Sequence, residues 1–197
     1  MTTEPKRRRG KYKAATSEWS VEDALKNYSE IQELTEEMES WRDNLQGTGL
    51  ESTGKFSEVE EAADTLANSS SECESQVDGV VEKIQSFAPS LLEEKVSVIL
   101  QVTRSKRKSP SRAVRLSNAT ASIGVARDHL VERLDQIKIL ISDGEEHTFF
   151  PDLDETGFSP EMKTQVNEDI EEIEGYLDGI EDIIGDLEGV EFPGMFG

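Results

Sequence analysis

The chain has 197 residues, and 42 acidic side chains against 21 basic ones give a formal net charge of −21. Apolar residues make up 35% and aromatics 6%, close to the composition of disordered chains, so any fold must come from patterning. No window approaches the roughly 18 consecutive apolar residues of a membrane span, and no apolar core follows the basic N-terminus, so a soluble chain that is neither membrane-spanning nor secreted is expected. One cysteine, Cys73, excludes a disulfide framework, and with two histidines it leaves little for a soft-metal site.

The charge is segregated. Residues 1–13 carry Lys6, Arg7, Arg8, Arg9, Lys11 and Lys13 against Glu4, a net +5. Residues 104–115 carry Arg104, Lys106, Arg107, Lys108, Arg112 and Arg115 with no acid, a net +6, which leaves −32 on everything else. Pro5 and Gly10 in the first segment and Ser109-Pro110-Ser111 in the second read as exposed tail and linker. Residues 1–18 are therefore expected to be a basic flexible tail.

Ser20 followed by Asp23 reads as a helix N-cap with an acid in the first turn. Val21, Leu25, Tyr28, Ile31, Leu34, Met38, Trp41 and Leu45 then recur at steps of three or four, predicting a helix near 20–46 that Gly47 and Gly49 end. Phe56, Val59, Ala63, Leu66, Cys73, Val77, Val80, Ile84 and Phe87 predict a second helix. Ser57 with Glu60 reads as its capping box, Pro89 as its stop, and Asn68–Ser71 as its weak point. Leu91 to Val102 reads as a short helix, with a strand as the alternative because Val96, Val98 and Ile99 are β-branched.

A third long helix is expected near 111–142 from Ala113, Leu116, Ile123, Leu130, Leu134, Ile137 and Ile141. The fourth opens at Ser159-Pro160-Glu161, an N-cap with proline in the first turn. It carries Met162, Val166, Ile170, Ile173, Leu177, Ile180, Ile184 and Leu187 on one face. The halves look related: Val77-Asp78-Gly79-Val80 has a counterpart in Leu177-Asp178-Gly179-Ile180, and Thr53-Gly54-Lys55-Phe56-Ser57 in Thr156-Gly157-Phe158-Ser159. The expected fold is all-α, two antiparallel helical hairpins (19–88 and 112–190) forming an elongated four-helix bundle or coiled coil. A crossover at 89–111 and an apolar tip at 191–197 complete it.

Three motifs suggest chemistry and fail on context. Gly49-Leu50-Glu51-Ser52-Thr53-Gly54-Lys55 matches the first seven positions of a phosphate-binding loop, but Phe56 replaces the magnesium-binding hydroxyl and no strand precedes it. A helix-to-helix turn with glycines at positive φ is the better reading. Asp152-Leu153-Asp154-Glu155-Thr156-Gly157 resembles a calcium loop, yet position twelve is Lys163 and position eight is Ser159. His129 flanks an apolar stripe, His147 lies in a loop beside Glu145 and Glu146, and Cys73 lies on a stripe as a buried thiol. No catalytic residue, cofactor site or metal site is assigned, and the expectation is a protein that is not an enzyme.

Two charged features remain. Lys6, Arg7, Arg8, Arg9, Arg104, Lys106, Arg107 and Lys108 suit contact with nucleic acid or another anion. The favoured alternative folds them back on the chain's own acidic helices, because the −32 around them repels nucleic acid at long range. The last helix is the sharper signal. Glu171, Glu172, Asp178, Glu181 and Asp182 stand along it like duplex phosphates, and Phe192, Met195 and Phe196 form an apolar tip. These are the partner-binding candidates of a DNA mimic, although capping of the helices is the simpler role for the tip.

The ending Val190-Glu191-Phe192-Pro193-Gly194-Met195-Phe196-Gly197 resembles that of small helical proteins encoded by tailed bacteriophages. So do Asn27-Tyr28 with Ile31-Gln32-Glu33-Leu34, the turn Trp41-Arg42-Asp43-Asn44-Leu45-Gln46-Gly47-Thr48, and Lys108-Ser109-Pro110-Ser111-Arg112. Those proteins have no assigned function, so the resemblance implies a viral source, host-cytoplasmic or virion location, and no catalytic residues. The leading expectation is an interaction protein whose acidic helices engage a host or defence protein. The alternatives are a virion or assembly component that self-associates through its heptad faces, and nucleic-acid binding through the two basic segments.

Overall fold

The computed structural model describes residues 11–104, 108–145, 149–150 and 157–194. In chain order it contains β1 (Tyr12–Ser20), α1 (Val21–Leu25), α2 (Tyr28–Leu45), α3 (Gly54–Phe87), α4 (Ser90–Glu93), β2 (Lys95–Thr103), α5 (Arg112–Asp143) and α6 (Pro160–Glu188). The chain is mostly helical, but it is not all-α. β1 and β2 pair antiparallel into a two-stranded ribbon, with Tyr12 opposite Thr103 and Ser20 opposite Lys95.

The ribbon corrects two expectations. The end of the segment expected as a flexible tail is a strand from Tyr12, and residues 95–103 form the strand alternative rather than the helix. Period-two patterning explains the second. Val96 and Val98 are buried while Lys95, Ser97 and Ile99 between them are exposed. The register sets Trp19 opposite Val96, Ser17 opposite Val98 and Ala15 opposite Leu100, so these half-buried β1 residues share the inner face.

The first predicted helix is two. Lys26 caps α1 through its backbone N–H to Glu22 O, Asn27 sits at φ −68° and ψ 1°, and α2 begins at Tyr28. Asn27 Nδ2 donates to Ser122 Oγ of α5 at 2.8 Å, which anchors the break. The Ser20 cap is present, accepting from Asp23 N at 3.0 Å.

α3 begins a turn before the proposed capping box, at Gly54 after Thr53, so Ser57 and Glu60 do not cap it. Its 34 residues run unbroken through Asn68–Ser71, where Ser69 and Ser70 are buried, giving about 51 Å at ~1.5 Å per residue. The Ser159 cap of α6 stands as expected, accepting from Met162 N at 3.2 Å with Pro160 in the first turn. On α6, Ile183 is buried, Ile184 is only half-buried and Met162 is exposed, so the stripe tilts slightly from its predicted line.

α2 packs on α3, α3 on α6, α6 on α5 and α5 on α2, while α1 and β2 lie against α5. One contiguous apolar core runs through all of them, including Ile31, Leu34, Leu66, Ile84, Leu130, Leu134 and Ile170. A strand followed by helices occurs on each side of α4, β1 before α1, α2 and α3, and β2 before α5 and α6. The sequence match 100 residues apart has a reciprocal packing meaning. A Cβ at Gly79 of α3 would stand 2.8 Å from Tyr176 Cζ of α6, and one at Gly179 of α6 would stand 2.9 Å from Gln76 Cδ of α3. Each helix thus lays a side chain across the other's glycine, which lets the two backbones approach closely.

Candidate nucleic-acid interface

Among the sequence motifs, the phosphate-loop match joins α2 to α3 with no strand before it. Positive φ occurs at Gly47, not at Gly49 or Gly54 as the turn reading supposed, and Lys55 lies over the Trp41 ring at 5.7 Å. Asp152, Asp154, Glu155, Thr156 and His147 lie outside the described residues. His129 Nε2 lies 2.6 Å from Glu94 Oε2, and Arg133 holds the other oxygen at 2.8 Å, so both tie α5 to the end of α4. Cys73 is buried, and burial pushes its thiol up to about 12, which leaves it protonated and unreactive near neutral pH.

The acidic candidates on α6 are largely engaged within the chain. Glu172 pairs with Lys83 of α3 at 2.7 Å and accepts from Tyr176 Oη at 3.1 Å; the Lys83 bond, above all, holds its carboxyl below the ordinary value. Asp178 and Glu181 both face Arg127 of α5, Asp178 at 3.7 Å. Glu171 and Asp182 are exposed and make no ion pair among the described residues. Phe192 is half-buried against the core, so it caps the helices. Met195 and Phe196 lie outside the described residues.

The basic candidates behave differently, and strand register is the reason. Because Tyr12 opposes Thr103, Lys11 and Arg104 meet at one end of the ribbon. Arg104 N donates to Lys11 O at 3.0 Å and Arg104 Nε to Tyr12 O at 3.1 Å. Two basic segments more than 90 residues apart in the chain therefore join the fold side by side. Lys6, Arg7, Arg8, Arg9, Lys106 and Arg107 lie outside the described residues. Lys108 is exposed, and its carbonyl accepts from Thr103 Oγ1 at 2.9 Å. Tyr12 Oη accepts from Ser111 N at 3.2 Å, which brings the start of α5 to the same place. The Ser111 hydrogen bonds, side chain and then backbone, lower the Tyr12 phenol from its ordinary value.

The second basic segment divides in two. Its C-terminal cations do fold back on acidic helices: Arg112 pairs with Glu37 at 2.9 Å, and Arg115 reaches Glu30, Glu33 and Glu37 of α2. Burial works to raise the Glu37 carboxyl, but hydrogen bonds from Arg115 and Arg112 prevail and hold it low. Arg42, Arg127 and Arg133 are likewise paired. Arg104 is the described arginine that has no carboxylate partner among the described residues, and exposed Lys11, Lys13 and Lys108 beside it have none either. Lys11 and Lys13 belong to this cluster although sequence reasoning placed them only in the tail; their alternation with Tyr12 was the available signal.

The ribbon's outer face is open. Ala14, Thr16 and Glu18 on β1 and Ser97, Ile99 and Gln101 on β2 are exposed, and Ile99 retains 65% of its accessible surface. No described helix is long and apolar enough to cross a membrane, and no group of three metal-ligating side chains occurs among the described residues. The chain matches no protein-family model, no curated protein and no solved structure.

Proposed function

We propose that this is a non-catalytic nucleic-acid-binding protein that grips the phosphate backbone with the basic end of its ribbon. The observation that carries the reading is the Arg104–Lys11 junction, which gathers both basic segments at one place while the body's arginines are spent on carboxylates. Phosphate contacts supply most of the affinity in such binding, and they require cations not already neutralised. A two-stranded ribbon is also an element that the B-DNA major groove admits.

The four long helices act in this reading as a bundle that holds the ribbon and turns acid toward solvent elsewhere. The apolar stripes are buried within the chain, which favours this function over self-association through heptad faces. The internal pairs of Glu172, Asp178 and Glu181 favour it over a DNA mimic. A viral source remains part of the proposal through the resemblance to phage-encoded helical proteins, with action in the host cytoplasm or the virion. The test is fluorescence anisotropy with labelled duplex and single-stranded DNA at 50 mM salt. Saturable binding that a Lys11→Glu/Lys13→Glu/Arg104→Glu variant loses supports the proposal, and no binding to either probe overturns it.

A further inference from the structure

A cavity of about 450 Å³ opens at the ribbon end, lined by Lys11, Tyr12, Arg104, Lys108, Ser109 and Ser111. Its volume falls within the ~300–1,000 Å³ typical of small-molecule sites. Three cations line it, Lys11 just before β1, Arg104 just after β2 and Lys108 in the following loop, and none pairs with a carboxylate among the described residues. Ser109 supplies a hydroxyl, and Tyr12 forms a wall fixed by its bonds to Ser111. The first turn of α5 begins at the same rim, adding backbone dipoles of the favourable sign.

The charge count identifies the ligand. An internal phosphodiester carries a single negative charge and lies along a groove. A phosphomonoester carries about −1.5 to −2 at neutral pH and offers three acceptor oxygens. A concave site whose three cations pair with no carboxylate among the described residues is over-supplied for the diester and matched to the monoester. We infer that this cavity binds the terminal phosphate of a nucleotide, at a strand end or on a free mononucleotide, through Lys11, Arg104 and Lys108. The inference deepens the nucleic-acid reading and rests on it for the strand end, while the cavity chemistry stands independently.

The experiment compares two otherwise identical duplexes, one 5′-phosphorylated and one 5′-hydroxyl, by anisotropy, and titrates deoxyadenosine 5′-monophosphate against deoxyadenosine by calorimetry. The expected result is tighter binding of the phosphorylated duplex by about tenfold, the ratio of a single charge-assisted contact. Heat is expected from the monophosphate and none from the nucleoside. In a Lys11→Ala/Lys108→Ala variant both duplexes bind more weakly, but the preference falls to about one. Both positions are exposed, and a circular dichroism melt of the variant confirms the fold. Equal binding of the two duplexes by the native chain overturns the cavity assignment while leaving backbone binding standing. Failure of both duplexes to bind overturns the proposed function, and the monophosphate titration then decides the cavity: heat supports it and silence removes it.

Discussion

Raising the salt concentration from about 50 to about 200 mM is the perturbation to which a phosphate-gripping ribbon end responds most strongly, because each neutralised phosphate releases a condensed counterion. The structure bounds the number of contacts. Lys11, Lys13, Arg104 and Lys108 are the described cations at the ribbon end, and they have no carboxylate partner among the described residues. Lys6, Arg7, Arg8, Arg9, Lys106 and Arg107 adjoin them in sequence. Four contacts give a slope of log K against log salt of about −3.6, and all ten give about −9 for duplex DNA. Over that fourfold change in salt the affinity falls by about 10² in the first case and about 10⁵ in the second. Repulsion from the acidic body is itself screened by salt, which brings the observed slope toward the smaller figure. Deleting residues 2–10 separates the two cases. If the N-terminal four cations engage, the slope loses about 3.6 units; if they do not, it is unchanged and the cations from Lys11 onward account for the binding. Anisotropy titrations at five salt concentrations measure it. A slope shallower than about −1, with binding retained, would refute phosphate contact as the source of affinity.

Three further outcomes follow from packing and charge. Gly79→Ala drives a Cβ against the Tyr176 ring and lowers stability by about 1–2 kcal/mol, whereas Gly179→Ala meets the movable end of Gln76 and is neutral or stabilising by up to about 1 kcal/mol. Urea melts of both, with Gly79→Ala/Tyr176→Ala as rescue, check the asymmetry. Arg115→Ala strips Glu30, Glu33 and Glu37 of their shared cation and costs about 1–2 kcal/mol by thermal melting at pH 7. Because the folded Glu37 carboxyl sits below its ordinary value of 4.5, its contribution is present above that pH and is lost as pH falls through the folded value. The variant's melting temperature therefore changes less on acidification than the native chain's. Cys73, buried with its thiol at about 12, is expected to resist maleimide at pH 7.5 in the native state. Its labelling tracks unfolding across a urea series, and rapid native labelling would contradict the burial.

The helices were legible because their information is local. Phe56, Val59, Ala63 and Leu66 declare α3 within four turns, and Ser159 with Pro160 declares the start of α6 without reference to any other element. The ribbon was not, because β1 has little signal of its own. Between Tyr12 and Trp19 it offers two alanines, a threonine and a serine. It becomes a strand through pairing with residues 95–103, partners 75 to 91 positions away. β2, with Val96 and Val98 buried on one side, was visible as an alternative for the same reason that β1 was hidden. The Lys26–Asn27 break escaped notice because Val21, Leu25, Tyr28 and Ile31 keep helical spacing across it; its cause is a side-chain bond to Ser122 on α5. The candidate site divides likewise. Arg104 and Lys108 could be read from charge runs, but their meeting with Lys11 depends on strand register, which no single segment encodes.

The placement of the remaining cations bears on how a nucleic acid would lie. Lys83 joins α3 to α6, Arg127 and Lys138 join α5 to α6, and Arg112 and Arg115 join α5 to α2. Each spends its charge between helices, so the helical surface keeps its acidic excess and repels a polyanion along its whole length. Contact should then be confined to the ribbon. Nine paired residues per strand span about 30 Å at ~3.3 Å per residue, so a duplex held at the basic end and lying along the ribbon meets at most about nine base pairs at 3.4 Å each. A duplex lying along α3 instead would meet 34 residues, about 51 Å or fifteen base pairs. Binding to duplexes of graded length should therefore reach full affinity near nine base pairs, with hydroxyl-radical protection limited to a comparable stretch. Affinity that keeps rising to fifteen base pairs would place the DNA against the helices, where the charge argument forbids it, and would overturn the assignment of the ribbon end as the contact.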